Sequence, residues 1–420
     1  MSLALAILPA GLAAQEADLA RCLASIRASP QGKRLAADTW ERHARGLQSD
    51  PRIIAQQQAQ PEFTLPVWDY LAVMVDDERI ADGRRLMVEH GATLEAIERR
   101  YRVDPAVVVA IWGIESDFGR GTGSFDVLRS LATLGCHGRR QTYFRGEFLA
   151  ALRTVQKGEI DVDRFLGSWA GAFGQVQFMP GTYEWLAVDF DGDGRRDILH
   201  NEGDALASAA NFLRRRGWRP GAPWGVEVRL PDGFSARGEG RRVQRTVATW
   251  AARGLRRVDG SRLVSADLPS TANAGLHLPA GPDGPAFLVL HNFNVIYRYN
   301  ASEAYTLAIA HLADRLRGGT PLVTPWPTDD LGLSRAERRE LQRHLAALGH
   351  DVGAPNGVLT PRTRTAVKEE QQRLGHEATG RPGQRLLKAL RDRSPDPPAG
   401  PKDVEELGVR RTVPECHLNG

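Results

Sequence analysis

A glutamate lies inside an apolar helical pattern in VVVAIWGIESDFGRG, residues 107–121. The apolar side chains that recur at helical spacing, and so predict one buried helix face, are Val108, Ile111, Trp112 and Phe118. Glu115 falls on that face. Because desolvation disfavours the charged form, burial raises the pKa of a carboxyl, which is what a general acid needs to hold a proton near neutral pH. An ion pair with a buried arginine would explain the same position equally well.

Asp117 is the nearest candidate for a second catalytic carboxylate. Residues two apart on a helix point to different sides, so Asp117 is not expected to flank the same bond as Glu115. We expect it to be a solvated residue at the helix end. The local sequence therefore lacks the carboxylate pair of most glycosidases, although a distant acidic residue could supply the second group.

A second stretch, FLGSWAGAFGQVQFMPGTY at residues 165–183, combines glycines, neutral polar side chains and aromatic rings. Ser168 and Gln177 offer hydrogen bonds to hydroxyl groups, and the rings offer flat faces, so the composition suits a sugar. The same composition also builds tight protein cores, and that alternative stays open.

An acidic loop follows in DFDGDGRRDILH, residues 189–200, which matches the start of an EF-hand. Gly194 stands at position 6, and the Arg195 carbonyl would fill position 7. The pattern predicts a Ca²⁺ site of oxygen ligands, with aspartates at positions 1, 3, 5 and 9: Asp189, Asp191, Asp193 and Asp197. Position 12 is His200 instead of glutamate, so an Asp/Gly turn that binds no metal is the alternative.

Helices must position these residues. Asp104 and Pro105 are typical of a helix start, and Gly119 of its end. Further helical patterns cover residues 16–28, 73–90, 143–157, 204–216 and 301–317, whereas short β-prone runs separated by Gly and Pro occupy residues 226–299. A Pro-rich linker is predicted at 318–330. After it, Ser334 and Glu337 form a capping-box pattern at the first of three short helices. The Pro-rich tail, residues 394–420, is expected to be mobile.

Composition limits the class of protein. The chain has 420 residues, of which 42% are hydrophobic, enough for two or three folded domains. Its net charge of +4 comes without a basic run interleaved with aromatics, so the sequence does not indicate nucleic-acid binding. A mild positive field would suit an acidic polymer such as a cell wall.

The N-terminus, residues 1–17, contains a short apolar run that ends in small residues, typical of a secretory signal, although it lacks the basic start. A buried first helix is the alternative. The three cysteines, Cys22, Cys136 and Cys416, form neither a disulfide framework nor a metal site. Export would permit a Cys22–Cys136 bridge, which spacing alone does not establish.

Three motifs in order, GIESDFG, SWAGAFGQVQFMPGTYEWLAVDFDGDG and NFNVIYRYNASEAYTLAIAHLADRL, resemble the B-type lytic murein transglycosylases. The resemblance covers residues 18–317. It implies a mainly α, α+β lysozyme-like catalytic domain with a small β-containing insertion. It also implies non-hydrolytic cleavage of the MurNAc-β-1,4-GlcNAc bond of peptidoglycan, which leaves a 1,6-anhydro-MurNAc end.

The resemblance also implies roles for single residues. Glu115 matches the family's single catalytic glutamate, which acts first as acid and then as base. The positions that match substrate-binding residues are Tyr143, Ser168, Gln177, Asn292 and Tyr299. Asp204 matches the aspartate that closes a lengthened calcium loop in the family, so the implied loop is 189–204 and its ion is structural. No organic cofactor is implied.

Residues 331–393 contain LQRHLAALGHDVGAPNGVLTPRTRTAVKEEQQRLGHEATGRPGQRLLKALR and resemble the three-helix type 1 peptidoglycan-binding domain. Together the resemblances predict a periplasmic monomer without evident outer-membrane attachment. Its partners would be glycan strands and, in addition, other cell-wall enzymes. Three alternatives stay open: a hydrolytic muramidase, a non-catalytic peptidoglycan-binding scaffold and a Ca²⁺-responsive regulator.

Overall fold

The computed structural model describes residues 10–58 and 65–393. The predicted mobile tail at 394–420 and residues 1–9 of the predicted signal segment lie outside the described residues. Within the described part of the chain, no helix combines the length and the apolar character needed to cross a membrane.

Helices dominate the described part of the chain. In chain order, the α-helices are α1 Ala10–Ala28, α2 Ala37–His43, α3 Pro51–Gln58, α4 Val67–Met74, α5 Asp77–Glu89, α6 Gly91–Tyr101, α7 Pro105–Ser116, α8 Val127–His137, α9 Gln141–Gln156, α10 Pro180–Leu186, α11 Glu202–Arg215, α12 Val247–Ala252, α13 His291–Tyr297, α14 Glu303–Leu316, α15 Arg335–Ala347, α16 Pro361–Arg373 and α17 Gln384–Arg393.

The strands form two small sheets. They are β1 Phe125–Asp126, β2 Leu166–Gly167, β3 Gly225–Arg229, β4 Gln244–Thr246, β5 Arg256–Arg257, β6 Asn273–His277 and β7 Ala286–Val289. β1 pairs antiparallel with β2, and the other five form an antiparallel sheet in the order β4-β6-β7-β3-β5. A mostly helical chain with small sheets confirms the predicted fold class, and the larger sheet lies in the predicted β-containing region.

The chain divides into two compact units. The described residues of the first unit are 10–58 and 118–212. In it α8 packs on α9, α1 packs on α8, and α10 packs on α9. A disulfide joins Cys22 of α1 to Cys136 of α8, with 5.9 Å between their Cα atoms. The bridge left open by the spacing of the cysteines is therefore present in the structure.

The described residues of the second unit are 65–117 and 213–393. Its central helix is α7, which packs on α14, α5 and α6. As predicted, the Asp104 side chain accepts a hydrogen bond from the Ala106 backbone at 2.8 Å, and Pro105 is the first helical residue. The helix ends at Ser116, earlier than the predicted Gly119, because Asp117 adopts a left-handed conformation with φ 51°.

One predicted helix is wrong in detail. The pattern over residues 73–90 is divided between α4 and α5, because the chain leaves the helical conformation at Val75. Asp76 then caps α5 by accepting a hydrogen bond from the Arg79 backbone. The apolar periodicity did not reveal this break, because α4 and α5 each bury an apolar face.

The C-terminal module, residues 331–393, consists of α15, α16 and α17 around its own apolar cluster, which includes Leu341, Val367 and Leu387. Ser334 and Glu337 form the predicted capping box. The module and the Pro-rich segment 318–330 both belong to the second unit. The Val323 and Thr324 backbones donate to the Glu227 carboxylate, so this segment is held against β3.

Candidate active site

Glu115 is buried on α7, with 6% of its surface exposed. Every residue of α7 from Ala106 to Ser116 is buried. The predicted desolvation of the carboxyl is therefore present in the structure. The alternative from the sequence was an ion pair between Glu115 and a buried arginine. The partner in the structure is instead a phenol, because the Tyr305 hydroxyl donates a hydrogen bond to Glu115 Oε1 at 2.5 Å.

Tyr305 lies at the start of α14, which packs against α7. Ser302 caps this helix by accepting from the Tyr305 backbone, so the cap fixes the position of the tyrosine that contacts Glu115. Tyr299 lies just before the same helix and interacts electrostatically with Glu115. One tyrosine of this motif therefore contacts the carboxyl, and a second lies near enough to interact with it electrostatically.

The electrostatics favour a protonated Glu115. Burial raises its pKa to about 8, and the hydrogen bond from Tyr305 opposes that rise. Burial, together with the nearby Glu115 carboxylate, raises the pKa values of Tyr299 and Tyr305 well above the ordinary value for a phenol. Both phenols therefore keep their protons, and Glu115 is the group that exchanges a proton near neutral pH.

The expectation for Asp117 is wrong. Asp117 is 3% exposed and not solvated. Its Oδ1 accepts from Arg335 Nη1 at 2.7 Å and lies 3.7 Å from Arg79 Nη2. The left-handed conformation turns the chain inward at the helix end, so the carboxylate meets two guanidinium groups that the local sequence pattern does not reveal.

Asn292 is completely buried at the start of α13. Its Oδ1 accepts from the Arg219 backbone N–H at 2.9 Å, and its Nδ2 donates to the carbonyls of Arg219 and Ala222. The side-chain amide therefore holds the 219–222 turn. A direct contact between Asn292 and substrate stays a prediction.

Sequence reasoning missed two residues of the third motif. One is Tyr305, the hydrogen-bond donor to Glu115. The other is Asn300, which is buried and whose Oδ1 has no hydrogen-bond partner among the described residues. A signal was present, because RYNASEAY places both residues next to the helix cap Ser302, where side chains are held in fixed positions.

The first unit holds Ser168 and Gln177, both buried. The Ser168 hydroxyl accepts from the Ala172 backbone at 3.1 Å. Gln177 has a left-handed backbone with φ 48°, and its Nε2 donates to the carbonyls of Thr122 and Gly174. Its Oε1 is buried and has no hydrogen-bond partner within residues 10–58 and 65–393. Gln177 thus presents an acceptor that a ligand hydroxyl or amide could satisfy.

Tyr143 is half-buried near the start of α9 in the first unit. The Arg140 guanidinium lies 4.5 Å from the centre of its ring. Burial, followed by the charge of Glu147, raises the pKa of the phenol. Tyr143 therefore remains a neutral hydroxyl, able to donate or accept a hydrogen bond.

The acidic loop brings together Asp189, Asp191 and Asp204, each of which has a carboxylate oxygen within 4.8 Å of those of the other two. Asp204 is completely buried at the start of α11. Burial raises its pKa, and the charges of the other two carboxylates add to the rise. Backbone N–H groups donate to Asp189 and Asp204. Asp193 does not belong to the group found within the described residues.

Three converging carboxylates fit a hard cation with oxygen ligands. A bound Ca²⁺ would neutralise the repulsion that helps to raise the pKa of Asp204, and the Arg195 carbonyl lies in the same loop. Asp204 belongs to the carboxylate group, as the lengthened loop predicts. His200, at position 12 of an ordinary EF-hand loop, instead donates its backbone N–H to Asp197.

Comparison with known proteins identifies the family. The transglycosylase SLT domain matches residues 18–314, well over half of the chain. The chain belongs to this family. The motif resemblance is thereby confirmed, and the enzyme class that it predicted, a peptidoglycan lytic transglycosylase, agrees with the family. A second match, to the putative peptidoglycan binding domain, covers residues 334–390 and agrees with the predicted C-terminal module.

Solved structures share the fold of this family member. SltB3 from Pseudomonas aeruginosa, in complex with NAG-NAM-pentapeptide, is 45% identical with a TM-score of 0.71, over 89% of this chain and 99% of that chain. The Escherichia coli lytic transglycosylase Slt35 in complex with calcium is 25% identical with a TM-score of 0.61. That match covers 72% of this chain and 94% of that chain.

A curated relative is the membrane-bound lytic murein transglycosylase B of Escherichia coli strain K12. It is 31% identical over 250 residues, or 58% of this chain. The match spans 65% of the relative's own length.

Proposed function

We propose that this protein is a lytic transglycosylase that cleaves the MurNAc-β-1,4-GlcNAc bond of peptidoglycan without water and leaves a 1,6-anhydro-MurNAc end. The observation that carries the proposal is the buried Glu115 carboxyl, paired with a phenol and with its pKa raised to about 8. The complex of SltB3 with NAG-NAM-pentapeptide supports the substrate class.

In the first step Glu115 donates its proton to O4 of the leaving GlcNAc as the C1–O4 bond breaks. The bonding electron pair stays on O4, and positive charge develops at C1 of MurNAc. The N-acetyl group of the same sugar can stabilise that charge, a substrate-assisted route that needs no second enzymic carboxylate. Asp117 is unsuited to supply one, because it is held by Arg335 and Arg79.

In the second step the Glu115 carboxylate takes the proton of the C6 hydroxyl while O6 attacks C1. The product is the 1,6-anhydro ring, and Glu115 regains the proton it gave. A positioned internal nucleophile reaches effective molarities of about 10⁵ M or more, so it can compete with water at about 55 M. Tyr305 stabilises the carboxylate between the two steps by donating a hydrogen bond from its hydroxyl.

Substrate binding is proposed for Tyr143, Ser168, Gln177, Asn292 and Tyr299. The support differs between them: Gln177 offers a buried, unpartnered acceptor, and Tyr143 offers a neutral hydroxyl. Asn300, whose Oδ1 is likewise unpartnered among the described residues, joins this set. Gln177 Oε1 and Asn300 Oδ1 would accept hydrogen bonds from the hydroxyl and N-acetyl N–H groups of the sugar.

Calcium is proposed as a structural ion held by Asp189, Asp191 and Asp204, with the Arg195 carbonyl and Asp193 as further ligands. The carboxylate cluster and the calcium complex of Slt35 support the metal. When bound, the ion supplies charge neutralisation that braces the loop before α11. The catalytic steps proposed above use the carboxyl and phenol of the second unit.

A periplasmic location is proposed, since the Cys22–Cys136 disulfide is of a kind that forms in oxidising compartments. The C-terminal module would bind peptidoglycan and concentrate the enzyme on its substrate. Residues 1–17 as a secretory signal, the monomeric state and contacts with other cell-wall enzymes remain part of the same proposal.

The decisive experiment is mass spectrometry of purified sacculi digested with the wild-type protein and with Glu115→Gln. We expect 1,6-anhydro-muropeptides from the wild type and a loss of at least about 100-fold with the variant, because general acid–base catalysis typically contributes about 10²–10⁴-fold. Glu41→Gln, an exposed substitution on α2, is the matched control and should retain activity.

Reducing-end products from the wild type would instead establish a muramidase. Binding to sacculi without any released product would establish the non-catalytic scaffold. Retained activity in Glu115→Gln, with the same products, would overturn the role of Glu115.

A further inference from the structure

Four charged residues form a network at the end of α7, which we call the Asp117 quartet: the buried Asp76, Arg79 and Asp117, and Arg335, whose side chain is 14% exposed. Arg335 binds Asp76 through Nε at 2.6 Å and Nη2 at 2.9 Å, and binds Asp117 through Nη1 at 2.7 Å. Arg79 lies 3.7 Å from Asp117. Its Nη1 also donates to the carbonyls of residues 73 and 74. Arg335 is therefore the closer partner of Asp117.

The quartet is neutral only when it is complete. Asp76, Arg79 and Asp117 come from residues 65–117, whereas Arg335 is the first residue of α15 in the C-terminal module. Two carboxylates face two guanidiniums, and the side chains of Asp76 and Asp117 are 2% and 5% exposed. Without Arg335, both buried carboxylates would lose a guanidinium group that donates hydrogen bonds to them, which is costly.

The module is also attached to α4 through a separate contact. Arg381 binds the Asp69 carboxylate with two hydrogen bonds, from Nε at 2.6 Å and Nη2 at 2.7 Å. Gly332 lies so close to α4 that a Cβ there would come within 2.7 Å of the Asp69 Cα. The second attachment is made to α4, whereas Arg335 binds Asp76, the cap of α5, and Asp117 at the end of α7. Arg381 is therefore a matched control, because it docks the same module without contacting Asp117.

The end of α7 is where a small displacement would matter most. The Asp117 N–H donates to the Gly113 carbonyl at 3.1 Å, and Asp117 follows Glu115 by two residues. A shift of the Asp117 carboxylate would therefore move the last turn of the helix that carries Glu115. Misplacement of a catalytic group by about 1 Å can cost about 100-fold in rate.

We propose that Arg335 of the C-terminal module is a positioning residue for Glu115, because it closes the Asp117 quartet and so fixes the last turn of α7. The module then has a second role besides binding the cell wall. The effect on catalysis rests on the proposed function, whereas the effect on the helix does not.

The first test measures backbone hydrogen exchange by mass spectrometry in peptides that cover α7. The full-length wild type is compared with Arg335→Gln and with Arg381→Gln. We expect exchange in the last turn of α7 to be at least about tenfold faster in Arg335→Gln, since local opening reports local stability. In Arg381→Gln, α7 should exchange as in the wild type.

The second test measures kcat and KM on soluble glycan strands with the same proteins. Arg335→Gln should lower kcat by about 10- to 100-fold with little change in KM, as expected for a misplaced catalytic group. Arg381→Gln should keep kcat within about twofold of the wild type. Arg335→Lys keeps the charge but loses the planar fork, so its kcat should lie between those of Arg335→Gln and Arg381→Gln. If Arg335→Gln does not fold, Arg335→Lys replaces it in both tests.

Equal exchange in α7 of Arg335→Gln and the wild type would overturn the proposal. So would equal losses of kcat in Arg335→Gln and Arg381→Gln, because they would show that docking as a whole is what matters. If the wild type releases no anhydro product, the proposed function fails, and the exchange experiment still decides the role of Arg335.

Discussion

The end of α7 and the acidic loop at 189–204 use carboxylates in opposite ways. Glu115 is buried beside the neutral phenol of Tyr305, and its pKa is raised to about 8. The loop gathers Asp189, Asp191 and Asp204 into one cluster and supplies them with backbone N–H groups. The first site keeps a single carboxyl apart from charged groups, whereas the second site brings three carboxylates together.

The difference shows how one functional group serves two purposes. An isolated carboxyl in a dry environment is most stable with a proton, so it can deliver one. Clustered carboxylates repel each other, and a divalent cation relieves that repulsion better than a single proton does. Removal of the charge at Glu115 should therefore stabilise the fold at alkaline pH, whereas removal of the charge at Asp204 should abolish the stabilisation that calcium provides.

The largest effect is expected for the pH dependence of stability in Glu115→Gln. The pKa of Glu115 is higher in the folded state than its ordinary value of 4.5, so its contribution to stability is complete below pH 4.5 and is lost as pH rises through about 8. The variant should unfold with the same free energy as the wild type near pH ~4. Near pH ~9 its free energy of unfolding should be higher by roughly 2–5 kcal/mol.

Chemical denaturation at both pH values measures this difference. A variant that is less stable than the wild type at the alkaline pH would contradict the picture of an isolated carboxyl.

Tyr305→Phe should give the next largest effect. It removes the donor that stabilises the Glu115 carboxylate, a charged hydrogen bond worth about 1.5–3 kcal/mol, so kcat should fall about 10- to 100-fold. Because the Tyr305 hydrogen bond lowers the pKa of Glu115, its loss should raise that pKa further. The alkaline limb of the kcat/KM profile, near pH 8 in the wild type, should move to higher pH.

Tyr297→Phe is a suitable comparison, because its ring packs under Arg241 and should still do so without the hydroxyl. An unchanged alkaline limb in Tyr305→Phe would show that this phenol does not set the pKa of Glu115.

The smallest effect is expected for calcium. Free Ca²⁺ at about ten times its Kd should stabilise the fold by about 1.4 kcal/mol, and excess chelator should reverse the gain. Asp204→Asn should abolish the response, measured as the change in Tm with added CaCl₂. Glu115→Gln should keep it, and a loss of the calcium response in that variant would remove the distinction between the two sites.

Much of this arrangement was predictable from local sequence. The periodicity of apolar residues, the Asp104 cap and the capping box at Ser334 determine helices through contacts within a few residues, and these predictions are confirmed. The burial of Glu115 follows from the same periodicity. The motifs by themselves are specific enough to identify the family.

The partners of the key carboxylates were not predictable in the same way. Tyr305 is 190 residues from Glu115, and Arg335 is 218 residues from Asp117. Such contacts depend on how helices pack, and no local pattern encodes them. The wrong expectation for Asp117 has this cause: the chain turns left-handed after Ser116, and that turn directs a polar side chain into the interior.

The residue at position 117 must therefore satisfy two independent requirements, one from the backbone and one from the neighbouring charges. The left-handed backbone is tolerated by Gly, Asn and Asp, and the opposing guanidiniums call for an acid. Asparagine would meet the first demand and glutamate the second, but aspartate meets both. Substitution of Asp117 by asparagine or by glutamate should therefore be selected against while residue 335 is an arginine. We expect residues 117 and 335 to change together in evolution, although they are far apart in the sequence.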